Sequence, residues 1–171
     1  MAVSISTVVG SGPFVPIEDA TEMRRGDDGA IVIEAYGKEF VGPELWDEID
    51  QLWLFFLQGI NDVSHTGSSE WVWPCQYIKL VCSSFDASGE TYVEMRLDLD
   101  PETPRKVKVK LAELRKAAGD AALIYFDVAE RLDPGRRQKY RYDAYKELIA
   151  EWQSQDEADN GSSVRHRDGR S

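Results

Sequence analysis

Residues 92–100 read YVEMRLDLD, and residues 105–111 read RKVKVKL. In both stretches apolar and charged side chains alternate, which is the pattern of a β-strand with one buried face. The segment DPETP between them is rich in turn-forming residues, so the two stretches predict an antiparallel hairpin. The positions expected to face the core are Val93, Met95, Leu97, Leu99, Val107, Val109 and Leu111.

The charges on the outer face of this hairpin suggest its register. We expect Leu97 to lie opposite Val107, which places Glu94 opposite Lys110 as an attractive pair. Exposed pairs of this kind contribute only about 0.2–1 kcal/mol each, so they mainly help to select the register. Burial of the apolar face, at about 25 cal/mol per Å², contributes more to stability.

Hydrophobic periodicity predicts the remaining elements. Two or three strands are expected in the N-terminal part, two of them at 18–25 and 30–40 around a turn at 26–29. Further along, the pattern predicts helices over 44–60, 112–132 and 138–153, a loop over 61–70 and a strand over 71–85. Because short turns join most strands, we predict an α+β fold. It would contain an antiparallel sheet of about five to six strands, with two to three helices packed mainly on one face.

Length and composition suit one domain over residues 1–153. The stretch 154–171 is polar almost throughout, so we expect it to be a disordered tail. Charge is distributed unevenly between the two parts of the chain. Residues 1–100 carry 18 acidic and 5 basic side chains, a net charge of −13, whereas residues 101–171 carry 13 acidic and 15 basic ones. Such an acidic excess repels nucleic acids and membrane surfaces and attracts basic partners.

Cysteine usage and hydropathy indicate the compartment. No apolar run approaches the roughly 18 residues that span a bilayer, and no secretory signal pattern is visible at the N-terminus. Cys75 and Cys82 lie seven positions apart in one predicted strand. Their side chains would point to opposite faces and could not form a disulfide with each other, so both are expected as buried free thiols. These features favour a cytoplasmic location.

No motif specifies a reaction, a metal or a cofactor. His65 is preceded by Ser64 and Asp62, but adjacency in sequence does not provide the geometry of a catalytic base, and a solvated loop histidine is expected. Asp98 and Asp100 recur at strand spacing and carry oxygen ligands, yet Pro101 interrupts the strand. No glycine-rich phosphate loop occurs. We therefore expect no metal site, no cofactor and no nucleic-acid partner.

The first predicted helix presents a second, less usual face. Leu54 and Phe55 fall away from its core face, among acidic and polar residues, and so need either a covering element or a partner. Trp71 and Trp73 share one face of the following predicted strand, and Pro74 marks a probable edge. The predicted partner-binding residues are Asp47, Glu48, Asp50, Leu54, Phe55, Trp71 and Trp73.

These observations favour an acidic cytosolic protein-binding module that recognises a basic protein partner. Its narrowest form is an inhibitor or immunity protein that blocks a basic toxin or nuclease by carboxylates in a phosphate-binding site. Two alternatives stay open from the sequence. One is a small hydrolase or transferase that uses carboxylates or His65 in a cleft between sheet and helices. The other is a homo-oligomeric structural protein joined through Leu54 and Phe55.

Overall fold

The computed structural model describes residues 2–10, 13–23, 27–100 and 102–165. Within these ranges, five strands precede the first long helix and four strands lie between it and the second. Two further helices follow. The elements are β1 (Val3–Val9), β2 (Val15–Pro16), β3 (Asp28–Ala35), β4 (Lys38–Val41), β5 (Asp47–Glu48), α1 (Ile49–Thr66), β6 (Ser68–Val72), β7 (Lys79–Ala87), β8 (Glu90–Asp98), β9 (Arg105–Lys110), α2 (Leu111–Leu132), α3 (Gly135–Lys139) and α4 (Tyr142–Arg165).

The strands form two antiparallel sheets, which confirms the α+β class. The first has the order β2-β1-β3-β4, with β5 also paired to β3, and the second has the order β6-β7-β8-β9. The sequence predicted one sheet, whereas the structure divides the strands at α1. The edges β4 and β9 contact each other, and the hydroxyl of Tyr36 donates a hydrogen bond to the carbonyl of Lys108 at 3.0 Å.

The two long helices that precede the C-terminal one pack against both sheets. Helix α1 contacts β3 of the first sheet and β6 and β7 of the second, while α2 contacts β1, β8, β9 and α4. Trp53 of α1 stacks on Tyr125 of α2 with ring centroids 6.1 Å apart. The indole N–H of Trp53 donates to the hydroxyl of Thr7 at 3.2 Å, so this buried polar group is satisfied.

The predicted β8–β9 hairpin is present, and its predicted inward face is correct except at Leu99, which lies beyond the end of β8 and is exposed. Met95 is buried, as are Val93, Leu97 and Val109. The register differs by two positions from the expected one, since Met95 lies opposite Val107 and Glu94 opposite Lys108. A shift of two keeps every side chain on its face, because the side-chain period of a strand is two. Strand β8 ends at Asp98, and in the connection to β9 the Asp100 carboxylate accepts the N–H of Glu102 at 3.0 Å.

The limits of α1 differ from the prediction at both ends. The helix begins at Ile49, because the preceding residues form a turn and then β5. It continues through Thr66 and β6 begins at Ser68, so the loop predicted over 61–70 is wrong at every position except Gly67. The hydroxyls of Ser64 and Thr66 donate to carbonyls four residues earlier, which satisfies these polar side chains inside the helix. Gly67, with φ of 83°, ends it in a left-handed conformation.

The strand predicted over 71–85 is two strands with a loop between them. Residues 73–78 leave the ladder after β6, and the N–H of Trp73 donates to the carbonyl of Ile78 at 2.9 Å, which closes the loop. Cys75 lies in this loop and is exposed, whereas Cys82 is buried on β7. The prediction that both thiols are buried is therefore wrong for Cys75, and both cysteines are free, as expected.

The N-terminal strands also differ from the prediction. No strand covers residues 18–23, where a short 3-10 helix (Ile17–Asp19) occurs instead, and residues 24–26 lie outside the described ranges. Strand β1 pairs with β3, and β3 turns into β4 through Tyr36 and Gly37. Both turn residues have positive φ, 53° and 73°, as a tight two-residue hairpin requires.

The C-terminal segment is helical further than its composition indicated. The second predicted helix agrees closely with α2, and the third is divided into α3 and α4. Residues 154–165, assigned from sequence to a disordered tail, continue α4, and residues 166–171 lie outside the described part of the chain. Asp156 contributes to this extension, because its carboxylate lies 3.4 Å from the guanidinium of Arg115 on α2.

Candidate functional site

Three of the seven residues predicted to bind a partner lie in the interior. Asp47, Asp50 and Trp73 have exposed fractions of only 1%, 1% and 6%. The carboxylate of Asp47 accepts two backbone N–H groups, those of Glu48 and Cys75, each at 2.7 Å. Because these three side chains have their polar partners inside the protein, the prediction that they lie on a contact surface is corrected.

The other four predicted residues are nearer to the solvent. Glu48, Leu54 and Trp71 are half-buried, and the two apolar ones pack against the core. Phe55 is exposed to 41%. Of the predicted set, Phe55 therefore remains available to a partner, while Leu54 and Trp71 offer only an edge. Glu48 is partly available, since its carboxylate oxygens accept hydrogen bonds from Gln51 and Tyr140.

Asp50 is the centre of a polar cluster that joins four helices. It lies in the first turn of α1, and one of its oxygens accepts hydrogen bonds from the hydroxyls of Tyr125 on α2 and Tyr142 on α4, at 2.7 and 2.6 Å. The other oxygen lies 2.5 Å from the guanidinium of Arg136 on α3. Arg136 is itself only 2% exposed. The cluster therefore ties α1, α2, α3 and α4 together.

The electrostatics of this cluster favour a structural role. Burial raises the pKa of Asp50, although hydrogen bonds from Tyr142 and Tyr125 and the charge of Arg136 act in the opposite direction. Burial and the Asp50 carboxylate both raise the pKa of the Tyr142 phenol, so this phenol stays protonated and donates. Since Asp50 is almost wholly buried, no substrate can reach its carboxylate in this arrangement.

A cleft of about 240 Å³ adjoins this cluster. It is lined by Asp133, Gly135, Arg136, Lys139 and Tyr140. The Tyr140 hydroxyl contacts the Lys139 ammonium and donates to the carboxylate of Glu48 at 3.1 Å. Burial, followed by the nearby carboxylates, raises the pKa of Tyr140, so this phenol is not activated as a base. The lining residues contain no histidine, serine or cysteine, and the cleft thus gives the hydrolase alternative no specific support.

Sequence reasoning did not identify Arg136 as a buried residue. A signal for Asp50 was nevertheless present. Trp53 and Leu57 follow it by three and seven positions and are both buried, which places Asp50 on the same helical stripe. A carboxylate on a buried stripe needs a cationic or hydrogen-bonding partner. No pattern in the sequence indicated that the partner is 86 residues away.

A second feature, which we call the loop face, consists of Trp46, Val72, Cys75 and Tyr77. All four are exposed, Trp46 to 42% and Tyr77 completely. Trp46 lies within the helix predicted over 44–60, but it precedes the start of α1 at Ile49 and is exposed. The loop face therefore presents two large aromatic side chains to the solvent from two adjacent loops.

Buried anchors hold these two loops against each other. The indole N–H of Trp73 donates to the carbonyl of Leu45 at 2.9 Å. The N–H of Cys75 donates to the Asp47 carboxylate, and the side-chain amide of Gln76 donates to the carbonyl of Trp46. Each bond joins residues 45–47 to residues 73–76, so the exposed aromatic rings rest on a constrained backbone.

Carboxylates border the loop face. A hydrogen bond to Asp47, followed by the charges of Asp47, Glu48 and Asp28, raises the pKa of the Cys75 thiol. Asp28 and Glu48 lie directly opposite each other in the β3–β5 ladder. Like charges in that position are unfavourable for folding. This side of the protein therefore combines exposed aromatic groups with a local excess of negative charge.

The remaining sequence candidates do not assemble into a site. His65 is exposed in the last turn of α1, not in a loop, and its Nδ1 lies 2.8 Å from the carbonyl of Asn61. Asp98 pairs with Arg96 at 2.9 Å. Asp100 binds the backbone of its own turn. Among the residues that the structure describes, no group of three or more His, Cys, Asp or Glu side chains could hold a metal ion.

Comparisons with known proteins add no identification. No protein-family model, no curated protein and no solved structure matches the chain. Within the described ranges, no helix has the length and apolar character needed to cross a membrane.

Proposed function

We propose that this protein is a cytoplasmic binding module for a basic protein partner and that the loop face is its contact surface. The observation that carries this proposal is the presence of Trp46 and Tyr77 as exposed aromatic side chains beside the carboxylates of Asp28 and Glu48. Tryptophan and tyrosine are the residue types most enriched among those that dominate binding energy. An exposed pair of them, without a structural role of its own, is best explained by a partner.

The constrained backbone of the two loops supports the same proposal. Binding loses free energy when loops must be ordered, and hydrogen bonds already present in the unbound protein reduce this cost. The anchors from Trp73, Cys75 and Gln76 supply such order. A surface prepared in this way suits lasting recognition of one partner.

The charge of the chain indicates the chemistry of that partner. The net charge is −11 at pH 7. Such a charge steers a basic protein towards the surface and accelerates association, while the buried aromatic groups set the lifetime of the complex. An inhibitor or immunity protein that covers the basic site of a nuclease or toxin is the narrowest form of this function. In such a complex, carboxylates of this protein would occupy the positions that substrate phosphate groups take in the basic site of the partner.

The test compares capture of basic proteins from a host lysate by the wild type and by a Trp46→Ala/Tyr77→Ala double variant. We expect the wild type to retain a partner with an isoelectric point above about 9, and the double variant to bind it at least tenfold more weakly. Phe85→Ala is the matched control. Phe85 is an exposed aromatic residue near the opposite end of β7 from the loop. Equal binding by all three proteins, or a captured partner without excess positive charge, would reject the proposal.

A further inference from the structure

Strand β6 is an edge strand whose one charged side chain is that of Glu70. It pairs with β7, and no other strand of the described residues pairs with it. Natural proteins protect edge strands with proline, lysine or a bulge, because open backbone groups attract other strands. Strand β6 reads SSEWV and contains neither proline nor lysine. It leads through Val72 directly into the loop face.

The hydrogen bonds at the two ends of β6 show which backbone groups face outward. The N–H of Ser84 donates to the carbonyl of Gly67, and the N–H of Trp73 donates to that of Ile78. Residues 67 and 73 therefore face β7, and in an antiparallel ladder every second residue between them does so too. The backbone groups of Ser68, Glu70 and Val72 accordingly point to the open edge. The carbonyl of Ser68 already accepts a hydrogen bond from the Thr66 hydroxyl at 2.8 Å. The N–H of Ser68 and the N–H and carbonyl groups of Glu70 and Val72 are left to pair with an added strand.

An apolar and an acidic side chain flank this edge on the side of α1. Trp71 packs over Gly59, where a Cβ would overlap its ring. At about 100° per residue, Phe55 and Asp62 lie about 40° and 60° from Gly59 around the helix, on the side away from the core. Phe55 is exposed and Asp62 half-buried. A strand added beside β6 would therefore rest its inward side chains near an exposed phenyl ring and a carboxylate.

We propose that the partner binds by adding an extended segment to β6 as an antiparallel strand, with apolar residues towards α1 and basic residues opposite Glu70. This inference rests on the proposed function and specifies how the basic partner is recognised. Backbone hydrogen bonds would supply affinity, and the alternating side chains would supply specificity.

Charge complementarity favours such a segment over a second copy of this chain. If two β6 strands paired around a two-fold axis at Glu70, the two Glu70 carboxylates would lie opposite each other. Two chains that each carry a net charge of −11 also repel one another. A segment with lysine or arginine opposite Glu70 turns the same position into an attractive pair.

The first experiment uses the full chain and a capped heptapeptide of alternating lysine and valine. In antiparallel pairing the residue opposite Glu70 exchanges both backbone hydrogen bonds with it, so the lysine N–H groups must face β6. Methylation of the lysine backbone nitrogens should weaken binding at least tenfold, and methylation of the valine nitrogens less than threefold. Amide hydrogen exchange at Glu70 and Val72 should slow at least tenfold when the unmethylated peptide is bound. Equal effects of the two methylations, or unchanged exchange, would overturn the proposal.

The second experiment compares Glu70→Pro with Glu70→Ala. Both variants remove the Glu70–Lys79 ion pair, so its loss is the same in the two proteins. The proline variant additionally lacks the N–H of residue 70, which faces the open edge and not β7, so both variants should fold. Glu70→Pro should bind the peptide and the captured partner at least tenfold more weakly than Glu70→Ala. If Glu70→Pro captures the partner as well as Glu70→Ala, and capture still requires Trp46 and Tyr77, strand addition is wrong while the proposed function stands. Sedimentation of a dimer that Glu70→Pro converts to a monomer would show instead that a second copy occupies the edge.

Discussion

The guanidinium of Arg136 lies 2.5 Å from the carboxylate of Asp50, although the two residues are 86 positions apart and both are almost completely buried. A buried charge requires a partner of opposite charge together with hydrogen bonds that satisfy its remaining atoms. Asp50 receives these from Tyr125 and Tyr142. The pair therefore sets the position of the short helix α3 relative to the start of α1.

Loss of this buried pair should destabilise the protein strongly. We expect Arg136→Met to lower the free energy of unfolding by about 3–5 kcal/mol, because it leaves the Asp50 carboxylate buried without its cation. Urea unfolding followed by tryptophan fluorescence measures the change. Arg137→Met is the control. Arg137 pairs with Glu130 and Asp143 at the surface, and its loss should cost only about 0–1 kcal/mol. Equal effects of the two substitutions would contradict the structural role of Arg136.

Stability should depend on pH through Asp50. Burial raises its pKa above the ordinary value of 3.8, against the opposing effects of Tyr142, Tyr125 and Arg136. The folded protein then binds a proton at Asp50 more tightly than the unfolded chain. The stability from this carboxyl is complete below its ordinary pKa and is lost as the pH rises through the raised value. Urea unfolding at about pH 4 and pH 7 should therefore show Asp50→Asn gaining stability relative to the wild type. A difference between the two proteins that does not vary with pH would refute this assignment.

The two thiols should differ in reactivity. Cys82 is buried and its pKa is raised to about 12, first by desolvation, so it should react with a disulfide reagent only after unfolding. Cys75 is exposed, but a hydrogen bond to Asp47 and nearby carboxylates raise its pKa. Its reaction at pH 8 should thus be slower than that of free cysteine and should accelerate with added salt, which screens these charges. Two thiols reacting at equal rates in the folded protein would contradict the arrangement.

The contact between Gly59 and Trp71 predicts that Gly59→Ala changes the free energy of unfolding in opposite directions with and without the Trp71 ring. Gly59→Ala should destabilise the wild type by about 1–3 kcal/mol, because the new methyl group overlaps the Trp71 ring. In a Trp71→Leu background the overlap is relieved, and the same substitution should stabilise the helix by up to about 1 kcal/mol. Free energies of unfolding of the four proteins give the coupling. Additive effects would show that the two residues do not interact.

Local hydrophobic periodicity was sufficient to predict the β8–β9 hairpin and the extent of α2. In both, the buried face follows from residues that are close in sequence, so periodicity alone identifies it. The start of α1 was not predictable in this way. Trp46 follows the helical period of the residues after it, but the backbone at Asp47 and Glu48 pairs with β3 instead. Pairing between distant segments outweighed the local pattern.

The candidate site depended even more on distant contacts. Trp73 was predicted at the surface from its strand face, yet its indole reaches the carbonyl of Leu45, 28 residues earlier. Tyr77 falls within the strand predicted over 71–85, whereas in the structure it lies in the loop between β6 and β7. The exposure of such residues depends on the contacts between two loops that are distant in sequence, and these contacts cannot be derived from local patterns in a single sequence.

The loop at residues 73–78 is closed by its own backbone hydrogen bond, and the backbone N–H of Cys75 donates to the Asp47 carboxylate. Consequently these backbone contacts remain when the side chains of Cys75 and Tyr77 are replaced. Both positions are open to replacement by evolution or by design while β6 and β7 remain paired. The same scaffold could thereby acquire new partners through changes at these two positions while the backbone of the loop is kept.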